Sequence, residues 1–120
     1  MIQQSSKILI IDNSGAKIGK CITVLGKKKV GKIGDTVVLT IKKVRANSKI
    51  KRSSIKKGLI VRTKFPVLRR DGSQICFNQN AAILLNNLNQ PIGTRILGAV
   101  TEELRNKKFL KVLAIANRII

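Results

Sequence analysis

Between residues 35 and 42, apolar and polar side chains alternate, with Val38 the one apolar residue on the polar face. Val37, Leu39 and Ile41 fall on one face; Thr36, Thr40 and Lys42 fall on the other. A period of two is the pattern of a strand with unlike faces. Residues 59–65 repeat it, with Leu59, Val61, Thr63 and Phe65 on one side and Ile60, Arg62 and Lys64 on the other. Apolar runs at 7–11, 18–25, 75–77 and 81–85 predict further strands, separated by turn formers such as Asp12-Asn13-Ser14-Gly15. Asp71-Gly72 between two such runs predicts a hairpin with a type I′ turn, whose two central residues both need positive φ. The glycine- and lysine-rich stretch 26–34 reads as a loop, and the basic stretch 43–57 as a loop or weakly paired extension. Residues 101–105 predict one helical turn with Thr101 as N-cap, acids at its start, and Arg105, Lys107 and Lys108 toward its end. Residues 109–116 read as a closing strand. Short strands punctuated by turns predict an all-β fold, a small closed or nearly closed barrel, and 120 residues suit one domain over 1–120.

The core of such a barrel has to be aliphatic. Hydrophobic residues make up 43% of the chain, yet Phe65, Phe77 and Phe109 are its only aromatic residues, and all three are assigned to the core. Cys21 and Cys76 lie in apolar stretches and read as two reduced core thiols. Met1 leads almost directly into a predicted strand, so neither a secretory signal nor an Arg- and Ser-rich presequence is expected.

Charge limits the partner. Twenty-five Lys and Arg face five acids, a formal net charge of +20. A compact domain so charged repels itself unless a polyanion neutralises it. A membrane is the weaker candidate, because the apolar runs fall far short of the roughly 18 residues of a spanning helix. No basic amphipathic helix is evident either. The cations are also unevenly placed. No acid occurs between Asp35 and Asp71, while twelve Lys and Arg do: Lys42, Lys43, Arg45, Lys49, Lys51, Arg52, Lys56, Lys57, Arg62, Lys64, Arg69 and Arg70. Lys27, Lys28, Lys29 and Lys32 form a second patch.

Catalysis finds little support. Residues 26–33 approach the spacing of a phosphate-binding P-loop, but Ile33 stands where a Ser or Thr would ligate magnesium, and a strand follows where a helix is required. Without histidine the commonest general base is missing, and two cysteines cannot complete a zinc site. No enzyme activity, cofactor or metal is expected. Three Phe cannot form the stacking platform of a single-strand binder, and no recognition helix for duplex DNA is apparent. Folded RNA, held through phosphates and 2′-hydroxyls, remains. An architectural DNA-binding protein and an enzyme using the 26–33 loop are the rival classes.

Several segments, in order, resemble the family of large-subunit ribosomal protein fourteen in its bacterial or organellar form. They are residues 12–16 (DNSGA), 21–26 (CITVLG), Gly34-Asp35, 61–64 (VRTK), 69–73 (RRDGS), 80–86 (NAAILLN) and 91–96 (PIGTRI). Glu103-Leu104-Arg105 and Lys108-Phe109 complete the set. The resemblance implies a five-stranded barrel with a projecting β-ribbon and one or two short C-terminal helices. It also implies contact with large-subunit rRNA and neighbouring ribosomal proteins, and bridges to small-subunit rRNA. A ribosome-silencing factor is a further implied partner. The chain departs from the family pattern at Arg70 before the Asp-Gly turn, at Cys76 and Asn78 around Phe77, at Leu97-Gly98-Ala99, and at Glu102.

The expected rRNA contacts are Lys27, Lys28, Lys29, Lys32, Lys43, Arg45, Lys49, Lys51, Arg52, Lys56 and Lys57, with Arg62, Lys64, Arg69 and Arg70 on the ribbon. Thr94, Arg95, Arg105, Lys108 and Lys111 are the expected bridge or factor surface. Ile, Lys and Asn, all writable with A/T-only codons, are abundant, which points to an AT-rich genome. A mitochondrial ribosome is the first expectation, a plastid or the bacterial cytoplasm the alternative.

Overall fold

The computed structural model describes the chain except Met1, Lys27, Lys28, Asn47, Lys107 and Lys108, and the side chain of Asn106. Five strands close into a barrel: β1 (Lys7–Ile10), β2 (Ala16–Val24), β3 (Thr36–Val44), β4 (Ile55–Arg62) and β7 (Ala81–Leu85), paired in that order. The pairs are antiparallel except the closing one, where β1 runs parallel to β7 with Leu9 opposite Ala81 and Ile10 opposite Ala82. A closed sheet leaves none of its own strands with an unpaired edge. Outside the barrel lie the hairpin β5 (Val67–Leu68) and β6 (Gln74–Ile75), and a small parallel sheet of β8 (Ile96–Val100) with β9 (Ala116–Ile119). Two short helices, α1 (Glu103–Asn106) and α2 (Leu110–Ile115), connect β8 to β9.

The alternation in the sequence explains the inner core. Val37, Leu39 and Ile41 turn inward and meet Ile8, Ile10, Cys21, Ile60, Ala82 and Leu84. A second cluster forms on the outside of β4 and β7. Leu59, Val61, Ala81 and Ile83 pack there against Ile96, Val100, Leu104, Val112 and Leu113. These two strands are therefore covered on both faces, which is why 81–85 is apolar without a break. Gly58 lets β3 and β4 close: a Cβ there would sit 2.7 Å from Leu39 Cδ1 and 3.2 Å from the Ile83 carbonyl oxygen.

Several expectations are corrected. Residues 110–115 are helical, not extended. Val112 and Leu113 are buried with Phe109 and Ala116 packed beside them, a spacing of three and four that suits a helix against the barrel. Helix α1 begins at Glu103, so Thr101 stands one residue outside the capping position and is buried in the core. The hairpin turn is not type I′, because Gly72 has positive φ and Asp71 does not. The Gly72 amide bonds the Arg69 carbonyl and the Arg69 amide bonds the Ser73 carbonyl. That is a three-residue loop, a type I turn followed by a left-handed glycine. Cys76 is exposed, just past β6, while Cys21 is buried and its thiol pKa is raised by burial; both are free. Phe65 is 52% exposed, so it lies outside the core.

Candidate nucleic-acid interface

Two turns prepare the outer face of the barrel. In the first, buried Asp12 accepts hydrogen bonds from the Ser14 amide (3.2 Å), the Ser14 hydroxyl (2.5 Å) and, across the barrel end, the Leu84 amide (3.0 Å). Its neighbour Asn13 clasps the 93–95 loop: Oδ1 accepts the Thr94 amide at 2.7 Å and the Arg95 amide at 3.2 Å, and Nδ2 donates to Thr94 Oγ1 at 2.8 Å. In the second, Ile50 is buried among the barrel residues and pins the 45–54 loop, leaving Lys49, Lys51 and Arg52 exposed. The two turns touch. Gly15, at φ +106°, leaves room for Ser48, whose side chain a Cβ would overlap.

Strand register then gathers the cations. Lys7 lies opposite Lys20, and Ile18 opposite Lys43. Lys7, Lys17, Lys20, Lys42, Lys43 and Arg52 line a trough of about 590 Å³ beside Val44, and no acid borders it. A second cleft, of about 620 Å³, adjoins it through the shared Lys17 and Lys43 and adds Arg45 and Arg62 over an aliphatic floor. The track is thus continuous along the outside of β1, β2 and β3.

Of the cations expected from sequence, Lys43, Arg45, Arg52 and Arg62 are on this track. Lys29, Lys32, Lys49, Lys51, Lys64 and Arg70 are exposed elsewhere or at its margins. Lys56 and Lys57 are half-buried on β4, and Lys57 Nζ donates to Asn89 Oδ1 at 3.0 Å. Lys27, Lys28 and Lys108 lie outside the described residues. Lys7, Lys17 and Lys20 were not singled out from sequence. Their signal was present, since Lys20 faces away from buried Cys21, but only register brings Lys7 and Lys20 side by side.

Two arginines are engaged by the protein itself. Arg62 is half-buried; its Nε donates to the Ala99 carbonyl at 2.7 Å and its Nη2 to the Leu97 carbonyl, and its guanidinium lies 5.8 Å from the centre of the Phe77 ring. Burial lowers its pKa. Arg69 bonds Glu103 through Nε–Oε1 at 2.8 Å and the Ile120 carbonyl at 2.6 Å, fastening the hairpin to the C-terminal elements. The Glu103 hydrogen bond raises the Arg69 pKa. Burial works against the charged form of Glu103, but the bond from Arg69 and its neighbours prevail and hold its carboxyl below the usual range.

On the expected bridge or factor surface, Thr94 and Arg95 are exposed and held by Asn13. Arg105 is exposed 4.0 Å from Glu102. Lys111 borders a shallow cleft of about 390 Å³ with Leu88, Pro91 and Leu110. Among the described residues, no group of three or more His, Cys, Asp or Glu could hold a metal, and no helix is long and apolar enough to cross a membrane.

A small closed barrel with an acid-free trough of lysines along its outer strands defines a class: cationic β-barrel proteins suited to lying against a polyanion. Along residues 1–120 the chain matches the family described as ribosomal protein L14p/L23e, and it belongs to that family. It is accordingly a structural protein of the large ribosomal subunit, placed on the ribosome among ribosomal RNA and other ribosomal proteins.

Proposed function

We propose that the protein binds large-subunit rRNA with the trough of Lys7, Lys17, Lys20, Lys42, Lys43 and Arg52, flanked by Arg45, Lys49 and Lys51. The observation that carries this reading is the acid-free convergence of six cations from three strands and a loop. Phosphates laid along it release condensed counterions, and the scarcity of aromatic rings leaves backbone and 2′-hydroxyl contacts as the means of recognition. Lys29, Lys32, Lys64 and Arg70 add diffuse attraction, and Lys27 and Lys28, outside the described residues, are assigned the same part. The guanidiniums of Arg62 and Arg69 mainly hold the fold that presents the others. Residues 1–120 act as one domain, because the outer core cluster draws on barrel strands and C-terminal elements together.

Thr94, Arg95, Arg105 and Lys111 form the surface offered to the small-subunit rRNA at bridges, and to a silencing factor; Lys108, outside the described residues, is assigned to it as well. The Asn13 clasp supports this, since it presents an exposed Thr-Arg pair on a fixed backbone. The abundance of Ile, Lys and Asn supports an AT-rich genome; a mitochondrial ribosome is the first reading, a plastid or bacterial one the alternative. The test is incorporation. Lys17→Glu with Lys43→Glu should leave the protein in the free pool on a salt-washed gradient, while wild type sediments with the large subunit. Undiminished sedimentation of the double variant would refute the trough.

A further inference from the structure

A smaller hollow of about 230 Å³ adjoins both the trough, through Lys7, and the Arg45–Arg62 cleft, through Leu9 and Ile18. Lys7, Leu9, Ile18, Lys64, Gln79 and Asn80 border it. We propose that this hollow seats the base of one unpaired nucleotide of the RNA; the inference rests on the trough being an RNA site and adds what that RNA has to contain.

Four observations lead there. Leu9 and Ile18 face each other across β1 and β2, two rungs along from Lys7 and Lys20 on the same face, and both are only half-buried. This gives an aliphatic rung beside a cationic one, on a face otherwise chosen for phosphate. Next, Lys7 belongs to both trough and hollow, so a backbone in the trough carries a nucleotide past the hollow's mouth. The rim is also chemically suited to a base edge. Asn80 Oδ1 accepts the Lys64 amide at 2.9 Å, which fixes that side chain and leaves Nδ2 without a partner among the described residues. Gln79 is exposed beside it, its side-chain amide without a partner among the described residues. Side-chain amides pair bidentately with the adenine edge. Finally, the volume lies under the roughly 300–1,000 Å³ of sites that enclose a whole ligand, so it suits one flat ring with sugar and phosphate left on the lysines.

A base paired within an A-form helix cannot reach such a hollow, whereas a bulged one can be splayed out and read. The test uses the full chain and three probes: a fully paired RNA hairpin, the same hairpin with a single bulged adenosine, and one with an abasic bulge. The bulged adenosine should bind roughly tenfold more tightly than either other probe, the size of one good amide–base pair. Gln79→Ala, an exposed change, and separately Ile18→Thr should remove that preference while leaving affinity for the paired hairpin unchanged. Equal affinity for all three probes would overturn the proposal, leaving the hollow to an apolar protein neighbour but the trough intact. A preference that survives both substitutions would overturn it too. If no probe binds in a salt-sensitive way, the trough itself fails, and that result is distinct from the other two.

Discussion

Replacing Lys17 and Lys43 with Gln tests the trough quantitatively. Both side chains are exposed, so the double change should cost little stability, within about 0.5 kcal/mol per site. The effect on binding is much larger. Six cations border the trough. If each meets one phosphate of a duplex, the logarithm of affinity falls against the logarithm of salt with a slope of about −5.4, at roughly 0.9 per neutralised phosphate. A rise from about 50 to about 200 mM salt then weakens wild-type binding by roughly 2,000-fold. With four cations left, the slope drops to about −3.6 and the same rise weakens binding by only about 150-fold. Fluorescence anisotropy with a labelled, fully paired RNA hairpin, titrated at several salt concentrations, reads both slopes. A control pair, Lys111→Gln with Arg118→Gln, removes the same charge from exposed sites away from the trough and should leave the slope near wild type. If the trough and control variants lose slope equally, charge acts through the net total and the trough has no special role.

Other perturbations bear on the scaffold. Asp12→Ala deprives the buried Leu84 amide and the Ser14 turn of a charged acceptor and should lower unfolding free energy by about 4 kcal/mol in urea titrations. Gly98→Ala forces a side chain onto φ +77° and into Arg62 Nη2; the strain and the loosened guanidinium together should cost about 3 kcal/mol, read as a lower urea midpoint. Glu103 has its carboxyl held below the ordinary value of 4.5, so its contribution to stability is complete above that pH and disappears as pH falls through the folded-state value. Glu103→Gln should lower stability at neutral pH, and the gap to wild type should close as the solution is acidified; a gap that stays constant would show that Arg69 does not act through this carboxylate.

The barrel was legible because its strands carry local signals. Val37, Leu39 and Ile41 announce their face by alternation, and the run 81–85 announces a strand buried on both sides. The 109–116 segment was misread because six helical residues show less than two turns of periodicity, and Val112-Leu113 within an apolar stretch fits either period. The turn at Asp71 was misread because Asp-Gly serves a type I turn with a left-handed glycine as well as type I′, and the loop length decides between them. The lining of the cationic track was half legible. Counting charge found Lys43, Arg45, Arg52 and Arg62, but the neighbours of Lys7 and Lys20 are long-range facts of register. Arg62 and Arg69 look like free cations in sequence, since nothing local reveals that carbonyls at 97, 99 and 120 and a carboxylate at 103 will meet them.

The seam between β1 and β7, the first and last strands of the barrel, has a consequence for synthesis. Strand β1 waits for β7, so roughly seventy residues must be made after Lys7–Ile10 before the cylinder can shut. Meanwhile β2 can pair with β1, and β3 with β2, as a meander. The cationic flank is thus drafted early and locally, while the interior it backs onto stays open to water until Ala81–Leu85 arrives. A nascent chain in that state exposes Ile8, Ile10 and Leu39 beside unopposed positive charge, a combination that favours being shielded by an anionic chain as soon as the protein leaves its own ribosome.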